Sequence, residues 1–294
     1  MANEKVKILA VSGSPRRKGN TATMMQYCLK AAEEMGNVET KFISLADYKL
    51  VPCIGCMRCF GWQAPADDPY KCYKFNDDTE VLAPMVAEYD GLIVGFPIYA
   101  AGVPSLFRCF MEKMHHYGPM SFTKHAGGLR FKAFGCISQG GRVYGGQETA
   151  MRMIYADAVG LGMYPVNAWP TVMDSEPQAG HTGGALSCVD GTAVYGERAW
   201  RKEGCRTVPP SMGSRNERTL KNLGRNMVTT ALTLKLGRKA LKETDFQEPE
   251  NISFTKYSVK PRKGSYVARL MEEGKVQFIS KEEIEARKTR VISQ

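Results

Sequence analysis

Hydrophobic and polar positions alternate in two rhythms over the first 172 residues. KVKILAV (5–11) is a short apolar run that ends in a Ser/Gly loop, as a strand does. From Thr21, Ala22, Met25, Leu29 and Ala32 recur at helical spacing until Gly36 stops the pattern. VETKF (38–42) alternates with period two and predicts a second strand. Asp77, with Glu80 three positions on, resembles a capping box for a helix through Val81, Leu82, Met85, Val86 and Tyr89. GLIVGFP (91–97) predicts a strand buried on both faces. Leu106, Phe107, Phe110, Met111 and Met114 form the next helical face. RFKAFGCIS (130–138), Gln147 to Leu161 and YPVNAWPTV (164–172) predict strand, helix and strand.

Five alternations of strand and helix predict an α/β fold with a doubly wound, five-stranded parallel sheet. Such sheets bind ligands at the carboxyl ends of their strands, near the point where strand order reverses. Residues 174–214 are irregular and rich in Gly and Pro. A further helix is expected over about 215–236, with Leu220, Leu223, Met227 and Leu234 on one side.

Charge changes this picture only late in the chain. Lys and Arg number 19 against 19 Asp and Glu over residues 1–200, but 21 against 11 over 201–294. The shift predicts a boundary near 200, between a neutral domain (1–200) and a basic, partly helical extension (201–294). The extension reads either as a solvated arm or as a docking surface for an acidic partner or a neighbouring subunit. No aromatic-interleaved basic motif points to nucleic acid. No apolar run approaches the roughly 18 residues of a membrane helix, and the start carries no signal-peptide pattern. Nine cysteines, four of them in one loop, argue against a secreted disulfide framework. The expected compartment is the reducing cytoplasm.

Two loops carry chemistry. SGSPRRKGNT (12–21) joins the first strand to the first helix. It offers the hydroxyls of Ser12, Ser14 and Thr21, the guanidinium of Arg16, close backbone approach at Gly13 and Gly19, and free N–H groups at the helix start. Together these favour a phosphate. Neither a Walker ending nor G-x-G-x-x-G is present. A plain polar loop would account for Asn20-Thr21 as a cap, but not for the whole string.

PCIGCMRCFGWQAPADDPYKCY (52–73) places Cys53, Cys56 and Cys59 at three-residue steps, with Cys72 after a longer gap. C-x2-C-x2-C lets three thiolates converge on a 4Fe–4S cluster whose fourth ligand comes from elsewhere. Zinc more often uses two separated pairs, and idle or reactive thiols are the third reading. Cys28, Cys109 and Cys136 lie within helix or strand patterns and read as small core residues. Cys188, Cys205 and His181 have no metal-site spacing. His115-His116 close a helix, where positive charge is favourable.

The loop at 12–21 resembles the FMN phosphate-binding "GSPR…GNT" loop of the NADPH-dependent FMN reductase family. GFPIYAAGVPSLFRCFMEK (95–113) is similar to the segment whose Pro-x-Tyr turn packs on the isoalloxazine ring. SQGGRVYGGQET (138–149) resembles the Gly-rich loop along the flavin's pyrimidine edge. The resemblance spans residues 5 to about 170 and implies a flavodoxin-like fold with bound FMN; the terminal-phosphate cradle at 12–21, with no adenosine pocket evident, favours FMN over FAD. It assigns FMN to Ser12, Ser14, Arg16, Gly19, Asn20, Thr21, Phe96, Pro97, Ile98, Tyr99, Ser138, Gln139, Gly140, Gly141 and Gly145. Phe96 and Tyr99 would pack on the ring, and backbone amides from 98–99 and 139–141 would bond its polar edge.

With the cysteine loop after the second strand, the chain resembles the iron–sulfur flavoproteins of anaerobes. It departs from them in the stretch FGWQAPADDPYK (60–71), which lengthens the gap before Cys72. The resemblance implies an oxidoreductase passing electrons between a ferredoxin-like carrier, a 4Fe–4S cluster on Cys53, Cys56, Cys59 and Cys72, FMN, and a small-molecule substrate. It also implies a homodimer or homotetramer. An NAD(P)H-dependent FMN or quinone reductase with a structural cysteine loop, and a non-enzymatic carrier or redox sensor, are the competing expectations.

Overall fold

The computed structural model describes residues 4–56, 58–60, 70–118, 127–140, 145–168, 185–188, 215–244 and 272–273, with backbone only for 60, 185–188 and 215–217. Strands β1 (Val6–Ser12), β2 (Val38–Ser44), β3 (Gly91–Pro97), β4 (Ala133–Gly140) and β5 (Tyr164–Pro165) form a parallel sheet in the order β2-β1-β3-β4-β5. Helices α1 (Asn20–Glu33), α2 (Thr79–Glu88), α3 (Ser105–Met114), α4 (Gln147–Gly160) and α5 (Arg215–Leu241) cover its two faces. This is the doubly wound, flavodoxin-like arrangement. Its order reverses between β1 and β3, so the carboxyl ends of those two strands open on the crevice. No described helix is long and apolar enough to cross a membrane.

Alternation along each strand decides which helix it meets. Val6, Ile8, Ala10, Ile93, Ala133 and Ile137 pack with Met24, Met25 and Leu29 of α1 and with Leu220, Leu223, Met227 and Val228 of α5. Leu9, Val11, Leu92, Val94, Phe96, Phe134 and Cys136 point the other way, onto α2, α3 and α4. Both sets are excluded from water, which is why the strands read as unbroken apolar runs.

Three expectations need correction. The last strand is shorter than 164–172. Only Tyr164 and Pro165 pair with Ala133 and Phe134, and residues 169–172 lie outside the described residues. Tyr164 N and Val166 N donate to Lys132 O and Phe134 O at 2.8 Å, so the missing N–H of Pro165 falls away from the ladder, as an edge strand permits. A sixth strand, β6 (Ala185–Cys188), takes over beside the carboxyl half of β4, pairing with Ile137–Gly140. It falls in the stretch expected to be irregular.

The second correction concerns α5. Charge set a boundary near residue 200, yet Leu220, Leu223 and Met227 are buried in the same core as β1, β3 and β4. They cover this sheet rather than a neighbouring subunit. The basic end of α5 also lies at the amino ends of the strands. Lys235 Nζ donates to Lys5 O at 2.7 Å and to Asp90 Oδ2 at 3.0 Å, and Lys239 pairs with Glu4 at 3.1 Å. Those cations stand at the far end of the sheet from the cysteine loop.

The third is local. Asp77 is not the N-cap of α2; Asp78 is. Asp77 is buried and does other work, described below.

Candidate functional site

The loop after β1 is held by its own hydroxyls. Ser14 N donates to Ser12 Oγ at 3.4 Å, and Arg16 N donates to Ser14 Oγ at 3.1 Å. Gly13 lies so close to α3 that a Cβ there would stand 2.5 Å from Phe107 Cβ. Helix α1 begins at Asn20 with Gly19 as N-cap, and has neither a side-chain cap bond nor an acidic residue in its first turn. Its open N–H groups and positive dipole end therefore face the loop, the arrangement an anion needs. Ser12, Ser14 and Thr21 are buried around it. The two arginines part: Arg17 bonds Asp47 and donates to Ala46 O at 3.0 Å, while Arg16 is exposed and makes no ion pair among the described residues. The residues present fit a phosphate monoester.

The loop after β3 closes in a tight turn. Tyr99 N donates to Gly102 O at 3.0 Å, and Gly102 N returns to Tyr99 O at 2.9 Å. The two central residues, Ala100 and Ala101, have φ of 48° and 59°. A left-handed alanine costs about 1–2 kcal/mol, and such strain concentrates at ligand sites. Gly146 (φ 108°) opens α4 against this turn, where a Cβ would meet Ala101 O at 2.4 Å. The turn after β3 thus packs against the start of α4, leaving Tyr99 47% exposed.

Two of the expected flavin contacts are not available as written. Phe96 is fully buried and stacks on Phe107 with ring centroids 5.1 Å apart. Its place in β3, in register with Leu92 and Val94, turns it into the core, so Tyr99 is the aromatic left for a flat ring. The amides of Ile98 and Tyr99 are already given to Gln139 O (2.8 Å) and Gly102 O. Pro97 is half-buried at the end of β3. Ser138 Oγ is buried without a hydrogen-bond partner among the described residues, and Asn20 Oδ1 likewise. Gln139 and Gly140 end β4 and Gly145 precedes α4, while Gly141 lies outside the described residues.

The cysteine loop leaves β2 beside the first loop, to which Arg17–Asp47 ties it. Its neck is closed by two aspartates. Lys49 N donates to Asp78 Oδ2 at 2.6 Å and Asp78 N to Lys49 O at 2.9 Å. Val51 N donates to Asp77 Oδ2 at 3.2 Å, and Thr79 N to Asp77 Oδ1 at 3.1 Å. Beyond the neck, Cys53, Cys56, Cys59 and Cys72 line one recess of about 350 Å³, with Lys71, Lys74, Lys113 and His116. All four are free thiols. Burial, then the neighbouring Cys53, Cys56 and Cys72, push the Cys59 thiol up to about 11. Among the described residues no group of three or more His, Cys, Asp or Glu side chains is placed to hold a metal ion.

Sequence reasoning missed the anchor of this loop. Tyr70 is buried, its ring 3.5 Å from His116 and 3.9 Å from Tyr117 between centroids. Tyr117 Oη–H donates to Ala83 O at 2.7 Å, which fixes the platform. His116 therefore packs rather than caps α3. Cys28, Cys109 and Cys136 are core residues, as expected. His181 and Cys205 lie outside the described residues, and Cys188 is described only as backbone in β6.

Comparison with known proteins identifies the family. The family model described as NADPH-dependent FMN reductase matches residues 6–176. An iron–sulfur flavoprotein of Methanocaldococcus jannaschii is 35% identical over 179 residues, covering 61% of this chain and 81% of its own length. An iron–sulfur flavoprotein of Archaeoglobus fulgidus is 30% identical over 160 residues, covering 54% and 75%. The crystal structure of RosB, with a bound 8-demethyl-8-formylriboflavin-5'-phosphate intermediate, shares the fold at a TM-score of 0.52 and 16% identity, over 89% of this chain and 97% of that one. The chain belongs to the NADPH-dependent FMN reductase family, within its iron–sulfur flavoprotein branch, and is an FMN-dependent oxidoreductase.

Proposed function

We propose that this oxidoreductase passes electrons between a one-electron carrier of ferredoxin type and a small molecule, through a 4Fe–4S cluster in the cysteine recess and FMN at the carboxyl ends of β1 and β3. One observation carries the reading: Cys53, Cys56, Cys59 and Cys72 line a single recess, in a loop tied to the phosphate loop by Arg17 and Asp47. FMN exchanges a hydride or two separate electrons and a cluster exchanges one at a time, so together they join two-electron to one-electron chemistry.

The chain's own residues supply the rest. Ser12, Ser14, Thr21, Arg16 and the N–H groups of α1 would hold the phosphate, and Tyr99 would cover a ring face, with Ser138 and the backbone of Gln139 and Gly140 beside it. Lys71 and Lys74 at the recess give an acidic carrier a positive target. The basic end of α5 is too far away to serve as that target. A cytoplasmic homo-oligomer, in which one subunit's recess faces another's flavin, extends the same reading and is checked by sizing the native protein.

The deciding experiment is an anaerobic preparation assayed for iron, sulfide and FMN, with electron paramagnetic resonance after reduction. Four irons and four sulfides per FMN, with a cluster signal, are expected. Stoichiometric zinc without iron would sink the reading. Rapid bleaching of the flavin by NADPH, independent of any carrier, would favour a pyridine-nucleotide-dependent reductase instead.

A further inference from the structure

Helix α3 sends one charged side chain into its buried side. Lys113 keeps 5% of its side-chain surface exposed and pairs at 3.0 Å with Asp77, whose side chain is fully buried. Its ammonium lies over the Phe75 ring at 5.5 Å, and Lys113 lines the cysteine recess together with Cys72. Asp77 is itself held on three sides, by Val51 N, Thr79 N and Lys113.

A purely structural account of this pair falls short. Buried ion pairs add little net stability, because desolvation of both partners cancels most of their attraction. The packing of α3 on the core is already supplied by Phe107, Phe110, Met111 and Met114. What the pair does achieve is to place one fixed, buried positive charge in the wall of the recess that the four cysteines line. Of the other lysines there, Lys71 is half-buried and Lys74 exposed, whereas Lys113 is buried. A charge removed from water acts roughly fourfold more strongly than a solvated one at the same distance, taking effective dielectric constants of about 20 and 80.

We propose that Lys113 is a positioning residue that eases one-electron reduction of the centre held by Cys53, Cys56, Cys59 and Cys72, with Asp77 as the counter-charge that orients and moderates it. The inference rests on the cluster reading above. An electron arriving from a one-electron donor adds one negative charge to the recess, with no proton required. The field of the buried ammonium would stabilise that added charge. Asp77, buried behind Lys113, opposes it.

The test is a redox titration of the anaerobically purified full chain, with dithionite as reductant, followed by electron paramagnetic resonance. Lys113→Met should shift the reduction equilibrium at least tenfold toward the oxidised form, a fall of about 59 mV for one electron. Lys113→Arg should stay near wild type. Asp77→Asn should shift it the opposite way. Opposite signs are the signature of electrostatics, since loss of packing would move both variants alike. If unpaired Asp77 keeps Lys113→Met from folding, as judged by FMN content, the Lys113→Met/Asp77→Asn pair replaces it, again with a fall expected. A potential unmoved by loss of Lys113, or equal shifts in the two single variants, overturns the inference while leaving the cluster in place. Absence of iron and sulfide from the wild type would overturn the cluster reading itself, and this inference with it.

Discussion

Gly224 of α5 sits against the backbone of Cys28 in α1, where a Cβ would lie 2.1 Å from the Cys28 carbonyl oxygen. The helices approach so closely that Cys28 Sγ–H donates to Leu220 O at 3.0 Å. Gly224→Ala should therefore destabilise the fold by about 1–3 kcal/mol as overpacking does, even though alanine gains about 1 kcal/mol of helix propensity. Gly237, in the same helix with nothing within 4 Å of its Cβ position, is the control. Gly237→Ala should stabilise by up to about 1 kcal/mol. Urea midpoints of the two variants moving in opposite directions is the expected result.

Arg16 and Arg17 are neighbours with different duties. Arg17 is committed to Asp47 and Ala46 O, whereas Arg16 is exposed on the phosphate loop. Arg16→Ala should weaken FMN retention by about 1.5–3 kcal/mol, the range for charge-assisted hydrogen bonds, with Arg17→Ala affecting it less. Equilibrium FMN titration of the two apoproteins measures this. Equal affinity in wild type and Arg16→Ala would remove Arg16 from the site.

Much of this arrangement was legible in the chain, and the gaps have physical causes. Period and turn chemistry placed β1 to β4 and four helices within a few residues, because each element buries a face wide enough to leave a pattern. Phe96 was misplaced because GLIVGFP is apolar on both faces, so periodicity cannot say which side chain points where. Register with Leu92 and Val94 decides it. β6 went unseen because four residues, ALSC, carry no period. The amphipathic pattern of α5 was visible, but a stripe of Leu220, Leu223 and Met227 does not name its partner. Charge misled there, since the cations on the outside of α5 say nothing of the face that is buried. Tyr70 and the Lys113–Asp77 pair were invisible for a different reason: their partners lie 46 and 36 positions away along the sequence.

Each of Cys53, Cys56, Cys59 and Cys72 lines the recess, and no residue of the phosphate loop is among its lining. Single Ala variants purified anaerobically should lose iron and keep FMN. For Cys72 the expectation is sharper than spacing alone allowed, because it lines the same recess as the other three. Full iron in Cys72→Ala would move the fourth ligand to another residue, Cys188 or Cys205 being the first to test.

Lys132 gives the fold a pH dependence at the alkaline side. Burial, opposed by Asp90 and aided by Arg238 and Lys235, pulls its ammonium down to about 8. Its Nζ donates to Ala87 O and Tyr89 O, and a neutral amine keeps enough N–H groups for both. Between pH 8 and the unfolded value near 10.4 the unfolded chain holds a proton that the folded chain lacks. Stability contributed by this group therefore rises with pH across that window, by up to about 1.4 kcal/mol per unit. Lys132→Met should lose that slope. Denaturation curves at pH 7.5, 8.5 and 9.5 compare the two proteins, and parallel trends would refute the assignment.

Truncation after residue 200 should abolish folding rather than free an arm. It would remove Leu220, Leu223, Met227 and Val228, all buried against β1, β3, β4 and α1. At about 1.5–3 kcal/mol for each buried side chain, the loss is comparable with the 5–15 kcal/mol that holds a typical domain together. Ile8, Met24, Met25, Ile93 and Ile137 would lose their cover, and the exposed face would aggregate. Ending the chain after residue 244 keeps α5 whole and should preserve both cooperative melting and FMN binding. If the product ending at 200 melts cooperatively and holds FMN, the core drawn here is wrong. If the one ending at 244 fails instead, the segment beyond it contributes to the domain. Thermal melts by circular dichroism with FMN fluorescence, on both products, separate these outcomes.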